Sequence, residues 1–409
     1  MNFLKLIPLL ACILLVACSS PEERAANYID KAEALYADED YVGAKIEAMN
    51  AAQIEPRNAD ARYLLAQIEE KQQNFRGAIG HLQVAVDANP NHVESRIKLG
   101  NYYVLAKAAD LAEEQSIAAM ELDPENPEAR LLKARVAYLN EDLVTARTEV
   151  DTALIQDPGL VDGIMFKAGI DMAEDNLEGA LELVDNGIAN ANAEGIKNLR
   201  QFKILMLRAS QRNEEVEAEL QALIKAYPDD DGFLLALAQL YAVEDRIDEA
   251  EQTYRQYIDK APDDVERRIT FAQFVGAQDG PERAEETLQA FIEELPDETV
   301  LQLALGQLYE TIDSKDEALV VYENIVAMDP VSTDGLKARN RIAIIKLQQD
   351  KPEEARTMAE SIIVDKPDDP DALLMRAAFS FSDRNYDDAV TDLRTVIRVK
   401  PESERALLL

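Results

Sequence analysis

The sequence predicts an all-α chain, a solenoid of stacked helix–turn–helix repeats. Three observations carry this. Prolines stand at 56, 90, 124 and 158, at 228, 262, 296 and 330, and at 367 and 401, spaced by 34 residues within each group. Small residues keep that register at every proline but Pro228: 24 before come Ala32, Ala66, Gly100, Ala134, Ala238, Ala272, Gly306, Ala343 and Ala377. Twelve before come Ala44, Ala78, Ala112, Ala146, Ala250, Ala284, Ala318, Ala355 and Ala389. Between them apolar residues fall at helical spacing, as in Leu99 with Tyr103 and Leu237 with Tyr241. With 15 glycines and 16 prolines in 409 residues, the chain lacks the tight turns of a strand-rich protein.

A fixed period of this length makes each repeat one supersecondary element that buries its apolar face only against its neighbours. Two helices approach closely only where the facing side chains are small, so the Ala and Gly positions mark crossings. The proline stops a helix and punctuates the link to the next repeat. Acidic residues after it, such as Asp229 and Asp263, are expected to cap or complement the next helix start. The step from Pro158 to Pro228 is 70 residues, with Asn192 where a proline would fall, and that from Pro330 to Pro367 is 37. Eleven repeats follow: residues 25–192 hold repeats one to five, 193–228 a degenerate sixth, and 229–403 repeats seven to eleven. A kink or loosened junction is expected at Gly187–Asn198. Residues 404–409 begin another first helix and end on three leucines, so the natural chain is expected to continue or this end to dock on a partner.

The pattern Leu99-Gly100 with Tyr103, and Leu305-Gly306 with Tyr309, Ala318 and Tyr322, resembles the tetratricopeptide repeat. That resemblance implies a right-handed superhelix of about eleven repeats, with the first helix of each pair lining a concave groove. It also implies ligand-facing positions near 2, 5, 9 and 12 of each repeat. Position 5 is mostly apolar and includes Tyr63 and Met165, with Ile97, Leu131 and Leu303. Position 9 is an amide in Gln67, Asn101, Gln239, Gln273 and Gln307; position 12 adds Tyr36, Tyr138, Met172 and Phe381. An amide both donates to and accepts from an extended peptide or a sugar without demanding charge. The expected partner-binding residues are therefore Tyr63, Gln67, Asn101, Tyr138, Met165, Gln239, Gln273 and Gln307.

Residues 1–17 read as a targeting segment. Lys5 precedes a dozen mainly apolar residues, too few to span a bilayer core of about 30 Å as a helix. The ending Leu15-Val16-Ala17-Cys18 resembles bacterial lipoprotein precursors. That resemblance implies cleavage before Cys18, lipidation of its thiol and acylation of the new amine, with 18–24 as lipidated end and tether. Ser19 and Ser20 lack the aspartate that retains such lipoproteins at the inner membrane, so the periplasmic face of the outer membrane is expected. Cys12 leaves with the leader and Cys18 carries lipid, leaving no thiol for a disulfide, a metal or a nucleophile.

Charge and motifs narrow the function. Against 42 Lys and Arg stand 79 Asp and Glu, a formal charge of −37 that repels phosphate backbones, so nucleic acid is not a partner. No phosphate loop, zinc-protease helix or nucleophile elbow occurs. Ser95-Arg96-Ile97-Lys98 matches a serine–lysine pattern only in isolation, inside a helical stretch. His81 and His92 are too few for a metal centre, and Asp229-Asp230-Asp231-Gly232 lacks calcium-loop spacing and reads as a capping turn. Neither a cofactor nor a catalytic residue is expected. The reading is a non-catalytic, membrane-tethered scaffold for protein partners in bacterial envelope assembly or export. A weaker resemblance is to the long lipoproteins of exopolysaccharide and exosortase-type export. The alternatives are a polysaccharide-binding export factor and a pilus or cell-wall synthase assembly lipoprotein; few groove aromatics and no tryptophan count against glycan.

Overall fold

The computed structural model describes residues 20–408, and Cys18 and Leu409 lie outside them. The chain forms two compact bodies that meet in sequence at Arg212 and Asn213. The N-terminal body runs α1 (Pro21–Ala37), α2 (Tyr41–Ile54), α3 (Ala59–Lys71), α4 (Phe75–Ala88), α5 (Val93–Leu105), α6 (Ala109–Leu122), α7 (Pro127–Leu139), α8 (Leu143–Gln156), α9 (Val161–Ala173), α10 (Leu177–Asn190) and α11 (Ala193–Ala209). The C-terminal body runs α12 (Asn213–Ala226), α13 (Gly232–Val243), α14 (Ile247–Lys260), α15 (Val265–Asp279), α16 (Pro281–Glu294), α17 (Thr299–Thr311) and α18 (Lys315–Met328). It continues with α19 (Thr333–Gln348), α20 (Pro352–Asp365), α21 (Pro370–Ser382), α22 (Tyr386–Val399) and the short α23 (Glu404–Leu408). Within each body successive helices pack on one another, pair after pair, as a solenoid.

The small-residue register is the core. Ala32, Ala66, Ala134, Ala238 and Ala343 are fully buried on first helices, as are Ala44, Ala78, Ala112, Ala146 and Ala318 on second helices. The two glycines in this row mark the closest approaches. A Cβ on Gly100 would lie 2.5 Å from Leu132 Cδ2, and one on Gly306 would run into the Tyr322 ring. Tyr322 is itself fully buried, and its hydroxyl donates to Glu310 at 2.6 Å. Glu310 also accepts from Arg341 Nε at 2.8 Å and Nη2 at 2.6 Å, which ties α17, α18 and α19 together.

The helix starts depart from expectation by a residue or two. Caps stand two residues after the proline: Asn58, His92, Asn126 and Asp264 each accept a backbone N–H of the helix they begin. Asp263 is therefore not the cap; Asp264 is, accepting from Glu266 N at 3.1 Å. Asp231 sits at the start of α13 but caps nothing with its side chain, which accepts instead from Arg267. Arg267, whose Nε also meets Asp264 at 3.1 Å, takes the Asp231 carboxylate as an ion pair once the repeats stack. His92 spends Nδ1 on Ser95 N at 3.1 Å and faces Asp60 with Nε2 at 3.2 Å, whereas His81 sits beside Arg62 at 3.3 Å. At the degenerate sixth repeat Asn192 caps α11, accepting from Gly195 N at 2.8 Å.

A second ruler, invisible in composition, sits between the helices of every pair except α15 and α16, which meet at Gly280. Glu39, Gln73, Lys107, Glu141, Asp175, Gln211, Asp245, Asp313, Asp350 and Arg384 all have φ between 55° and 63°. The residue after each returns its N–H to a carbonyl five positions back, as Asn74 N to Glu69 O at 2.8 Å and Asp142 N to Ala137 O at 2.9 Å. This is the Schellman closure, in which one left-handed residue satisfies the last carbonyls of a helix. None of the ten is glycine, so sequence inspection for glycine turns misses all of them.

Candidate functional site

The first helices of the N-terminal body form a cleft of about 590 Å³ across α3, α5, α7 and α9, with Phe75 at the start of α4 on its rim. One wall is polar and interlocked. Lys98 Nζ and Tyr102 Oη both donate to Glu70 at 2.7 Å, and Arg135 donates to Asn101 at 2.8 Å and Asp162 at 3.1 Å. These bonds join residues 27 to 34 apart, each linking one repeat to the next, so stacking orients them without any bound molecule. Burial, and then the bond to the Glu70 carboxylate, raises the Tyr102 hydroxyl well above the ordinary tyrosine range, so it stays a donor at all ordinary pH.

The other wall is aromatic and open. Phe75 and Tyr102 have ring centroids 6.5 Å apart, and Tyr138 meets Phe166 edge-on at 5.7 Å. Phe75 is 53% exposed, Tyr138 42% and Leu105 79%, so a string of apolar surface runs along the cleft. The expectation of few aromatics in the groove fails here, because residues outside the four marked positions contribute rings.

A second cleft, of about 460 Å³, lies in the C-terminal body among α15, α16 and α17. Ala272, Gly276, Ala284 and Ala304 keep it open, and Gln273, Gln307 and Thr311 supply its polar atoms. Its lining holds no charged side chain, in a protein where 30% of residues are charged.

The expected site residues divide accordingly. Asn101 and Tyr138 line the first cleft, and Gln273 and Gln307 share the second. Gln239 is exposed on α13 and lines neither. Gln67 and Met165 are half-buried on α3 and α9, outside both. Tyr63 is also half-buried, 5.3 Å from the His92 ring, and burial pushes its hydroxyl up to about 12. Position 5 divides between core and groove: Ile97, Leu131 and Leu303 are buried, whereas Ile269 lines the second cleft. Sequence reasoning missed Glu70, Arg135 and Asp162, although they occupy the marked positions 12, 9 and 2; attention to amides and apolar residues passed them over. Lys98, Tyr102 and Phe166 lie off the marked positions and gave no signal.

Among the described residues no cluster of three or more His, Cys, Asp or Glu could hold a metal, and no helix is long and apolar enough to cross a membrane. What both clefts offer is a row of donors, acceptors and apolar surface along several repeats, the chemistry of an extended ligand.

Comparison with known proteins agrees on the fold. The Naa15/Naa10 complex bound to HypK-THB aligns over 95% of this chain at 14% identity with a TM-score of 0.50, and this chain spans 59% of the length of that one. The pilF protein of Pseudomonas aeruginosa aligns over 51% of this chain and 95% of its own, at 16% identity and a TM-score of 0.39. YrrB, described as a tetratricopeptide protein with an unusual peptide-binding site, aligns over 46% of this chain and 93% of its own, at 22% identity and a TM-score of 0.35. No curated protein matches the sequence. Family models of the tetratricopeptide repeat match residues 23–93, 63–121, 97–161 and 340–404 in one form and 207–271 in another. Those segments together take in more than half of the sequence, and the chain belongs to the tetratricopeptide repeat family.

Proposed function

We propose that this protein is a non-catalytic scaffold that holds extended segments of protein partners in the two clefts. In this reading it is tethered by lipid on Cys18 to the periplasmic face of the outer membrane and serves envelope assembly or export, exopolysaccharide or surface-protein export among the candidates. The supporting observation is the N-terminal cleft, where a preformed polar wall faces exposed Phe75, Leu105 and Tyr138. Aromatic anchors beside fixed hydrogen-bonding groups are what a peptide segment needs for affinity and register. The same rings favour a second reading, glycan binding by stacking.

A photo-crosslinking residue in place of Leu105 separates the two. A protease-sensitive adduct recovered from the envelope is the expected result; a protease-resistant, glycosidase-sensitive adduct would favour glycan. For the partner so identified, Tyr138→Ala with Phe166→Ala should cost about 2 kcal/mol, roughly thirtyfold in Kd. Unchanged affinity with intact circular dichroism removes the cleft from the reading. The tether has its own test. Cys18→Ala should abolish incorporation of labelled palmitate and release the protein from the membrane fraction, and continued labelling would defeat the anchor.

A further inference from the structure

The outer helix of the first repeat carries a face unlike the rest of this acidic chain. On α2 the exposed side chains are Val42, Ile46, Met49 and Gln53, with none charged. Val42 is 68% exposed, Ile46 57% and Met49 56%, at the i, i+4, i+7 spacing of one helical stripe. The helix has only two charged residues, Lys45 and Glu47, both half-buried, and Lys45 is held by Glu69 at 2.9 Å. Beside the stripe a cleft of about 650 Å³ is lined by Ile46 and Met49 together with Lys45 and Arg62, against a single carboxylate, Glu69, and with a His81 imidazole that burial and the nearby Arg62 hold below its ordinary pKa. In a chain of formal charge −37, an apolar stripe bordered by cations is a local inversion.

Chain geometry says what covers it. Helix α1 starts at Pro21 behind a closed capping box, in which Glu23 N donates to Ser20 Oγ at 3.1 Å and Ser20 N to Glu23 Oε2 at 3.0 Å. Cys18 is two residues before Ser20, a reach of at most ~7 Å, so a lipid on it leaves the first helix no slack. A tight turn joins α1 to α2 and the two pack together, so the first turn of α1 lies beside the last turn of α2. Because α1 has 17 residues to the 14 of α2, Met49 is about 12 Å along the helix axis from the start of α1, with Ile46 and Val42 following at about 17 and 23 Å.

We propose that this face is a lipid-surface contact, in which Val42, Ile46 and Met49 seat at the headgroup–acyl boundary and Lys45 and Arg62 in the adjoining cleft face headgroup phosphates. An interfacial helix buries its apolar face about 5–10 Å deep and gains from cations beside it. The contact fixes the first helix pair against the bilayer and makes the anchor an oriented mount. This inference rests on the lipid-anchor reading of Cys18.

The test uses the full acylated chain, purified from membranes and reconstituted in vesicles of phosphatidylethanolamine and phosphatidylglycerol. With Cys12 removed and Cys18 blocked, Ile46→Cys supplies a unique thiol for an environment-sensitive dye, and Val144→Cys on α8, 79% exposed as Val, is the remote apolar control. The expected result is blue-shifted emission and quenching by spin-labelled lipid at position 46 and neither at 144, with Arg62→Glu reducing the quenching at 46. A palmitate-labelled protein whose position 46 stays open to aqueous iodide overturns the inference and leaves the anchor standing. Absence of palmitate overturns both. A concentration-dependent shift without vesicles assigns the stripe to a second copy of the chain and also overturns the inference.

Discussion

Tyr322→Ala is expected to destabilise the C-terminal body by about 3–5 kcal/mol, as for other fully buried aromatic side chains. The ring fills the space left by the absent Cβ of Gly306, and its hydroxyl caps a Glu310 carboxylate that also anchors Arg341. Tyr322→Phe isolates the polar part. It keeps the ring and leaves Glu310 on its bidentate arginine, so about 1.5 kcal/mol is expected, the scale of one hydrogen bond to a charged group. Because stability in a repeat array is passed only between neighbours, the loss should concentrate in hydrogen exchange of α17, α18 and α19. Denaturant melts in which Tyr322→Ala costs no more than Tyr322→Phe would mean that ring packing contributes nothing at this crossing.

Leu132→Ala is the corresponding change in the N-terminal body, with an expected cost of about 2–5 kcal/mol for a fully buried leucine. Its coupling to Gly100 is more informative. In the natural background Gly100→Ala gains helix propensity, worth about 1 kcal/mol, but presses a methyl against Leu132 at 2.5 Å, and overpacking typically costs about 1–3 kcal/mol. With Leu132 already truncated the clash is gone and the propensity remains. Gly100→Ala should then stabilise Leu132→Ala by about 1 kcal/mol while failing to stabilise the natural chain. Additive effects in the double-mutant cycle would show that the two residues do not share the crossing.

The two bodies differ in what their clefts offer. The N-terminal one presents paired charges and rings, and the C-terminal one only amides, a hydroxyl and aliphatic residues.

The repeat was legible from residue spacing alone. A 34-residue proline spacing and alanines in register leave little besides paired helices, and those alanines are the buried residues of the crossings. That information is local, since crossing distance depends on side-chain size at each contact. The site was legible only in part, and the reason lies in its geometry. Asn101, Tyr138, Gln273 and Gln307 reach the clefts because one helical face carries them there, whereas Ile97, Leu131 and Leu303 turn into the core. The polar wall joins Glu70 to Lys98 and Arg135 to Asp162, side chains from different repeats whose long reach picks a partner only after stacking fixes the distance. Asp231 likewise gives up a cap for Arg267, 36 residues along the chain. Periodicity sets which face a residue occupies; tertiary packing decides which neighbour it meets there, because that choice depends on distances between repeats.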